Sequence, residues 1–138
     1  MKSAVTVDAS VFVNAFSPDE KGSDESLAFI TKLRTDGVPL IQPTLFFPEV
    51  VASIARKQDS AELALELAKE LGKFSRLTLI DLDENLAEFA SEVAAKYRLR
   101  GSDAVYAAVA LRFGAELITL DREQLERLLK VLTVRTPK

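Results

Sequence analysis

The chain contains no cysteine, no histidine and no tryptophan. Without cysteine there is no disulfide, no thiolate nucleophile and no cysteine-based zinc site. Without histidine, a Ser-His-Asp triad, an imidazole base and most catalytic zinc sites are excluded. Hydrolytic chemistry would have to come from carboxylates, lysine, tyrosine or a metal ion. The apolar stretch at residues 38–47 is too short to cross a membrane and is interrupted by Pro39 and Pro43. The first residues, Met1-Lys2-Ser3-Ala4-Val5, lack the apolar segment and small-residue cleavage site of a secretory leader. A cytoplasmic location and no membrane partner are therefore expected. No glycine-rich phosphate loop of the Walker or dinucleotide type is present, which argues against use of NTP or NAD.

What is present suits one compact domain over residues 1–138. With 48% hydrophobic and 28% charged residues, a packed core is expected and wholesale disorder is not. Lys and Arg number 18 against 21 Asp and Glu, a net charge of −3. Nucleic-acid binders usually carry a basic footprint, so the total charge counts against that role. An acidic metal pocket with a local Lys/Arg rim is still compatible with it.

Short apolar runs alternate with helical patterns along the whole chain. Strands are predicted at 4–7, 38–42, 77–82, 116–120 and 131–134. Helices are predicted at 23–35, from about 44 to 57, and at 61–74, 84–97, 102–113 and 121–129. Gly37 and Gly114 close two of them. Thr44 as a cap or Pro48 at the first helical position opens the second. Residues 17–22 read as a loop, and Asp83 as a helix start. This order predicts an α/β fold: a three-layer α/β/α sandwich around a five-stranded, mainly parallel sheet.

Four acids stand where a strand gives way to a turn or a helix start: Asp8, Glu49, Asp103 and Asp121. In a parallel sheet the strand exits share one edge, and ligands bind there. Acids far apart in sequence then meet in one pocket. Such an all-oxygen cluster favours a hard divalent cation. Two like charges about 4 Å apart repel by about 4 kcal/mol at an effective dielectric near 20. Helix N-termini near Glu49 and Asp103 relieve only about 0.3–1 kcal/mol each. A cation or a bound proton has to supply the rest.

The chain resembles the PIN-domain ribonucleases, in particular the VapC-like toxins of prokaryotic toxin–antitoxin pairs. The resemblance covers nearly the whole chain. It is carried by Val7-Asp8-Ala9-Ser10, by Pro48-Glu49-Val50, by Ser102-Asp103-Ala104-Val105-Tyr106-Ala107-Ala108 and by Thr119-Leu120-Asp121. It implies Mg²⁺- or Mn²⁺-dependent cleavage of RNA, frequent homodimers and pairing with a VapB-like antitoxin. Asp8, Glu49, Asp103 and Asp121 match the acidic quartet, and Ser10 and Thr119 the small hydroxyl positions beside it. Glu123 stands where many relatives carry a further, shorter acid. Asp8 and Asp103 are assigned as direct metal ligands and Asp121 as a ligand directly or through water. Glu49 is assigned to a metal-held water or a second ion.

Each residue also has a structural alternative. Asp121 with Gln124 fits a capping box. Asp103 suits the start of a helix dipole, and Asp8 a local turn with Ser10. Glu49 fits a solvated helix face. Ser10 and Thr119 fit backbone-bonding hydroxyls. Arg98, Arg100 and Arg122 are candidate phosphate contacts, with solvated helix ends as the alternative. Arg56 and Lys57 read as surface, and Asp81 and Asp83 as acids outside the site. The stripe Leu63, Leu67, Leu71 and the pair Val105, Val109 read as core or dimer surface. Two other functions share the acidic strand ends. One is a receiver-like aspartyl phosphoacceptor, which expects an acidic pair after the first strand and a lysine after the fifth. The other is a catalytically silent RNA-binding module on the same fold.

Overall fold

The computed structural model describes residues 3–138. Met1 and Lys2, part of the segment read above for a leader, lie outside the described residues. The elements run β1 (Val5–Val7), α1 (Ala9–Ala15), α2 (Ser23–Asp36), β2 (Leu40–Pro43), α3 (Phe46–Gln58) and α4 (Ala61–Leu71), then β3 (Leu77–Ile80), α5 (Glu84–Tyr97), α6 (Gly101–Phe113), β4 (Glu116–Ile118), α7 (Arg122–Arg127) and β5 (Val134–Arg135). The five strands form one sheet in the order β3-β2-β1-β4-β5, and every pairing is parallel. The chain winds from β1 outward to β3, then returns across β1 to β4 and β5. Right-handed crossovers put helices that travel one way on one face and those that travel back on the other. The contacts agree: α1 packs on α2 and α3, and α3 on α4, whereas α5 packs on α6. The result is the three-layer α/β/α arrangement.

The middle of the core is α6. Every residue from Ala104 to Ala110 is buried, and the helix packs against β1, β2, β4 and α5. Its small residues let it lie close to the sheet. Val105 and Val109 are core. Of the other stripe, Leu71 is buried but Leu63 is exposed and Leu67 only partly buried. On α4 the side facing the core is led by Ala64 and Leu71.

Differences from the sequence expectation have local causes. Helix α1 is not predicted, because six of its seven residues are buried and no polar face marks a helical period. Only the Asp8 cap announces it. Neither Thr44 nor Pro48 opens α3; its N-cap is Leu45, and Pro48 is the third helical residue. The N–H that proline lacks belongs to the first turn, where it has no helical acceptor. Strand β3 stops at Ile80 because Asp81 accepts the Asp83 N–H in a tight turn (2.9 Å). Strand β5 starts at Val134 rather than 131, since Val131 and Leu132 donate to Leu128 in the turn that ends α7.

The seam between β1 and β2 is closed partly by side chains. Backbone pairing places Val5 opposite Leu40. Beyond it, Thr6 Oγ1 donates to the Ile41 carbonyl (2.7 Å). The fully buried Gln42 reaches Val7 twice: Oε1 accepts the Val7 N–H (2.6 Å) and Nε2 donates to its carbonyl (2.8 Å). Gln42 thereby replaces a ladder rung directly before Asp8. Gln42→Leu leaves both Val7 backbone groups buried without partners. It is expected to cost about 2–4 kcal/mol, read as a lower urea midpoint at unchanged slope. A loss below about 0.5 kcal/mol would mean that the strands re-pair on their own.

Candidate metal and nucleic-acid site

The winding reverses between β1 and β4, and their carboxyl ends open a cleft of about 610 Å³. Parallel α/β sheets bind ligands at such a reversal. Asp8, Glu49, Asp103 and Asp121 all line it, as does Ser10. Asp8 follows β1 and caps α1. Glu49 and Asp103 sit in the first turns of α3 and α6, and Asp121 caps α7.

Asp8 is the most enclosed acid. Its Oδ2 accepts the Ser10 N–H (3.2 Å) and the Thr119 hydroxyl (3.3 Å). Burial pushes its carboxyl above the usual range, against the pull of those bonds. Thr119, fully buried, also accepts from the Asp121 N–H (3.0 Å) and Gln124 Nε2 (3.4 Å). Ser10 Oγ accepts the Leu120 N–H (3.3 Å). The two hydroxyls therefore tie the end of β1 to the segment after β4. Asp121 caps α7 by accepting the Glu123 N–H (3.2 Å) and also takes Gln124 Nε2 (3.4 Å). The capping-box alternative is altered: the Asp121 N–H goes to Thr119, and Gln124 reaches the carboxylate. Asp121 is thus both a cap and a wall of the cleft.

Asp103 reports the crowding. Burial first, then the charges of Asp8 and Asp121, raise its carboxyl to about 7, and Arg100 partly opposes them. Arg100 Nε lies 3.3 Å from Asp103 Oδ2, and Nη2 lies 3.5 Å from Asp121 Oδ2. Glu49 Oε1 and the Tyr106 hydroxyl are both buried without a hydrogen bond of good geometry. Burial, then the Glu49 carboxylate, pushes the Tyr106 hydroxyl far above its usual range. Tyr106 therefore stays an O–H facing an acid.

The basic candidates divide. Arg100 lines the cleft, while Arg98 and Arg122 do not. Arg98 closes α5 in the left-handed region (φ 56°), and its carbonyl accepts from Arg127. Glu123 also stays outside the lining and pairs with Arg127 (3.4 Å). Asp83 caps α5 through the Leu86 N–H (2.8 Å), and Asp81 is outside the lining too. Arg56 and Lys57, read from sequence as plain surface, line the cleft from the end of α3. So do Asn14 and Glu20. Lys57 pairs with Glu20 and holds its carboxyl below the usual range. Buried Asn14 donates to Glu20 Oε1 (3.2 Å) and the Lys21 carbonyl (3.0 Å) and accepts from Ser26 Oγ (2.7 Å). The sequence signal for this wall was a lone asparagine in an apolar run, visible only once α1 is known to be a helix.

A family model described as the PIN domain matches residues 5–129. The chain belongs to the PIN domain family. No curated protein sequence matches it. Among solved structures, this PIN domain is similar in fold to VapC20 of Mycobacterium tuberculosis, described as a Sarcin-Ricin loop cleaving toxin. The TM-score is 0.72 at 14% identity over 94% of this chain and 96% of that one. VapBC2 of Rickettsia felis, bound to a DNA fragment from its promoter, gives 0.68 at 13% identity over 96% and 98%. A toxin-antitoxin complex from Klebsiella pneumoniae gives 0.66 at 20% identity over 97% and 98%. No helix among the described residues of this PIN domain is long and apolar enough to cross a membrane.

The donor set fits a hard divalent ion. Mg²⁺ asks for one or two carboxylates and keeps several waters, and the acids lining the cleft supply oxygen donors alone. No three acids among the described residues are already gathered around one point. Without metal, Asp103 binds a proton more tightly folded than unfolded, so its contribution to stability falls as pH rises from about 4 to about 7. In EDTA, Asp103→Asn is expected to raise the melting temperature by a few degrees at about pH 8 and by much less at about pH 5. Scanning fluorimetry at both pH values checks it. A lower melting temperature at the higher pH would contradict the crowding of the acids.

Proposed function

We propose that this PIN domain is a Mg²⁺- or Mn²⁺-dependent endoribonuclease that serves as the toxin of a VapBC-type toxin–antitoxin pair in the cytoplasm. The observation that carries the reading is the convergence of Asp8, Glu49, Asp103 and Asp121 on one cleft at the reversal of the sheet. Asp8 and Asp103 are assigned to hold the ion, with Asp121 beside them. When bound, a divalent ion lowers the pKa of water and offsets charge on a phosphate, so no imidazole is needed. Thr119 and Ser10 hold Asp8 and the Leu120 backbone in place. Among the described residues, Glu49 is the one acid of the four with neither a cation nor a backbone N–H on its carboxylate. It is assigned to orient the attacking water and take its proton. Tyr106 backs Glu49 from the core side.

Single-stranded or looped RNA is the substrate class, because its backbone can bend into a recessed cleft. The net negative charge is no obstacle, since Arg56, Lys57 and Arg100 supply a local basic rim. The toxin role and a VapB-like antitoxin draw support from solved structures of the same fold, one described as VapBC2 bound to promoter DNA and one as a toxin-antitoxin complex; a homodimer is part of the same proposal. The receiver-like alternative loses ground on topology. Its family orders the sheet 2-1-3-4-5, whereas here the order is 3-2-1-4-5.

In Mn²⁺ the wild type is expected to cut a mixed RNA pool. EDTA stops the reaction, and Asp8→Asn lowers the rate by at least about 100-fold. Binding of RNA without cutting would favour the silent module, and a stable aspartyl phosphate after treatment with a small phosphodonor would favour the switch. Separately, Arg56→Gln is expected to weaken RNA binding in EDTA and to reduce the salt dependence by about one phosphate contact. Fluorescence anisotropy across a salt series measures both, and an unchanged slope would remove Arg56 from the RNA path.

A further inference from the structure

The three cations that line the cleft differ in what they hold. Lys57 is engaged with Glu20, and Arg56 has no carboxylate partner among the described residues. Arg100 alone reaches the acids. It spans Asp103 in the first turn of α6 and Asp121 at the cap of α7, at 3.3 Å and 3.5 Å. The backbone of Arg100 is fixed as the N-cap of α6, directly after buried Leu99. Its side chain is 73% exposed, while those of Asp103 and Asp121 are only 13% and 17% exposed. An exposed cationic head on a helix-cap backbone therefore covers two carboxylates in the wall of the cleft.

The oxygens that Arg100 touches, Oδ2 of Asp103 and Oδ2 of Asp121, belong to carboxylates assigned above to the ion site. A guanidinium beside these oxygens opposes a metal ion there, because the two cations repel and because Arg100 Nε already donates to Asp103 Oδ2. We propose that Arg100 is a built-in competitor for the metal, bridging Asp103 and Asp121 in the metal-free protein and displaced when Mg²⁺ or Mn²⁺ binds. The inference rests on the metal-dependent reading above. Exposed ion pairs are weak, so release is easy. The freed guanidinium stays at the rim, where its planar fork suits a phosphate. Arg100 thus tunes metal affinity before substrate arrives and meets substrate afterwards.

The test is calorimetric titration of the full chain with Mn²⁺ at constant ionic strength, for wild type, Arg100→Gln and Arg122→Gln. Arg100→Gln is expected to bind Mn²⁺ about 2- to 5-fold more tightly. It is also expected to gain more melting temperature than wild type on adding Mn²⁺. Arg122 lies outside the cleft lining, so Arg122→Gln is expected to match wild type, which separates direct competition from a general loss of positive charge. Unchanged or weaker binding by Arg100→Gln, or equal tightening by Arg122→Gln, overturns the proposal. If the wild type binds neither Mn²⁺ nor Mg²⁺, the metal reading falls and takes this one with it. If the wild type binds and Arg100→Gln does not tighten, only the competitor role falls.

Discussion

In a parallel sheet with right-handed crossovers, a reversal of winding leaves two neighbouring strands whose following segments depart to opposite faces. Here those strands are β1 and β4. After Val7 the chain turns into α1, and after Ile118 it turns toward α7. The gap between them must open at the carboxyl ends. Everything chemical in the molecule follows from that gap. It is walled by the first turns of α3 and α6, and it is tied shut at its base by Ser10 and Thr119. Gln42 braces the adjoining β1–β2 seam from the other side. The floor of the cleft is therefore held by polar contacts as well as by apolar packing.

That arrangement has an electrostatic price. Acids that would spread apart on a flexible surface are held close enough for Asp103 to feel both Asp8 and Asp121. The fold offsets this in several ways at once: backbone N–H groups on Asp8 and Asp121, hydroxyl and amide donors, and the Arg100 guanidinium. The Asp103 carboxyl stays raised all the same, by burial first and by the charges of Asp8 and Asp121 after it. A site with clustered carboxylates, oxygen donors alone and a cationic rim is suited to a divalent ion next to a phosphate.

Much of this was legible beforehand, unevenly. Helix α5 was readable to the residue because Asp83 marks its start and its apolar residues keep a helical period. The four acids were legible as strand and helix-start residues. Helix α1 was not, because burial on nearly all sides erases the amphipathic period on which such a reading depends. With α1 unseen, the wall of Asn14, Glu20 and Lys57 was invisible as well. Arg98, Arg100 and Arg122 looked alike as nearby cations. Only Arg100 of the three lines the cleft; Arg98 closes α5 in the left-handed region, and Arg122 opens α7 outside the lining.

Sequence by itself determined the class of fold and narrowed the chemistry. Alternation of short apolar runs with helical periods permits little but a layered parallel sheet, and a chain without histidine or cysteine leaves oxygen as the side-chain donor for any metal ion. Tertiary structure decided which charges meet. Asp103 faces Asp121 and Arg100 bridges them because α6 and α7 begin at the same edge of the sheet, a relation set by strand order and by no local propensity. Contacts between residues more than a hundred positions apart, such as Thr119 with Asp8, depend on where β1 and β4 come to lie side by side.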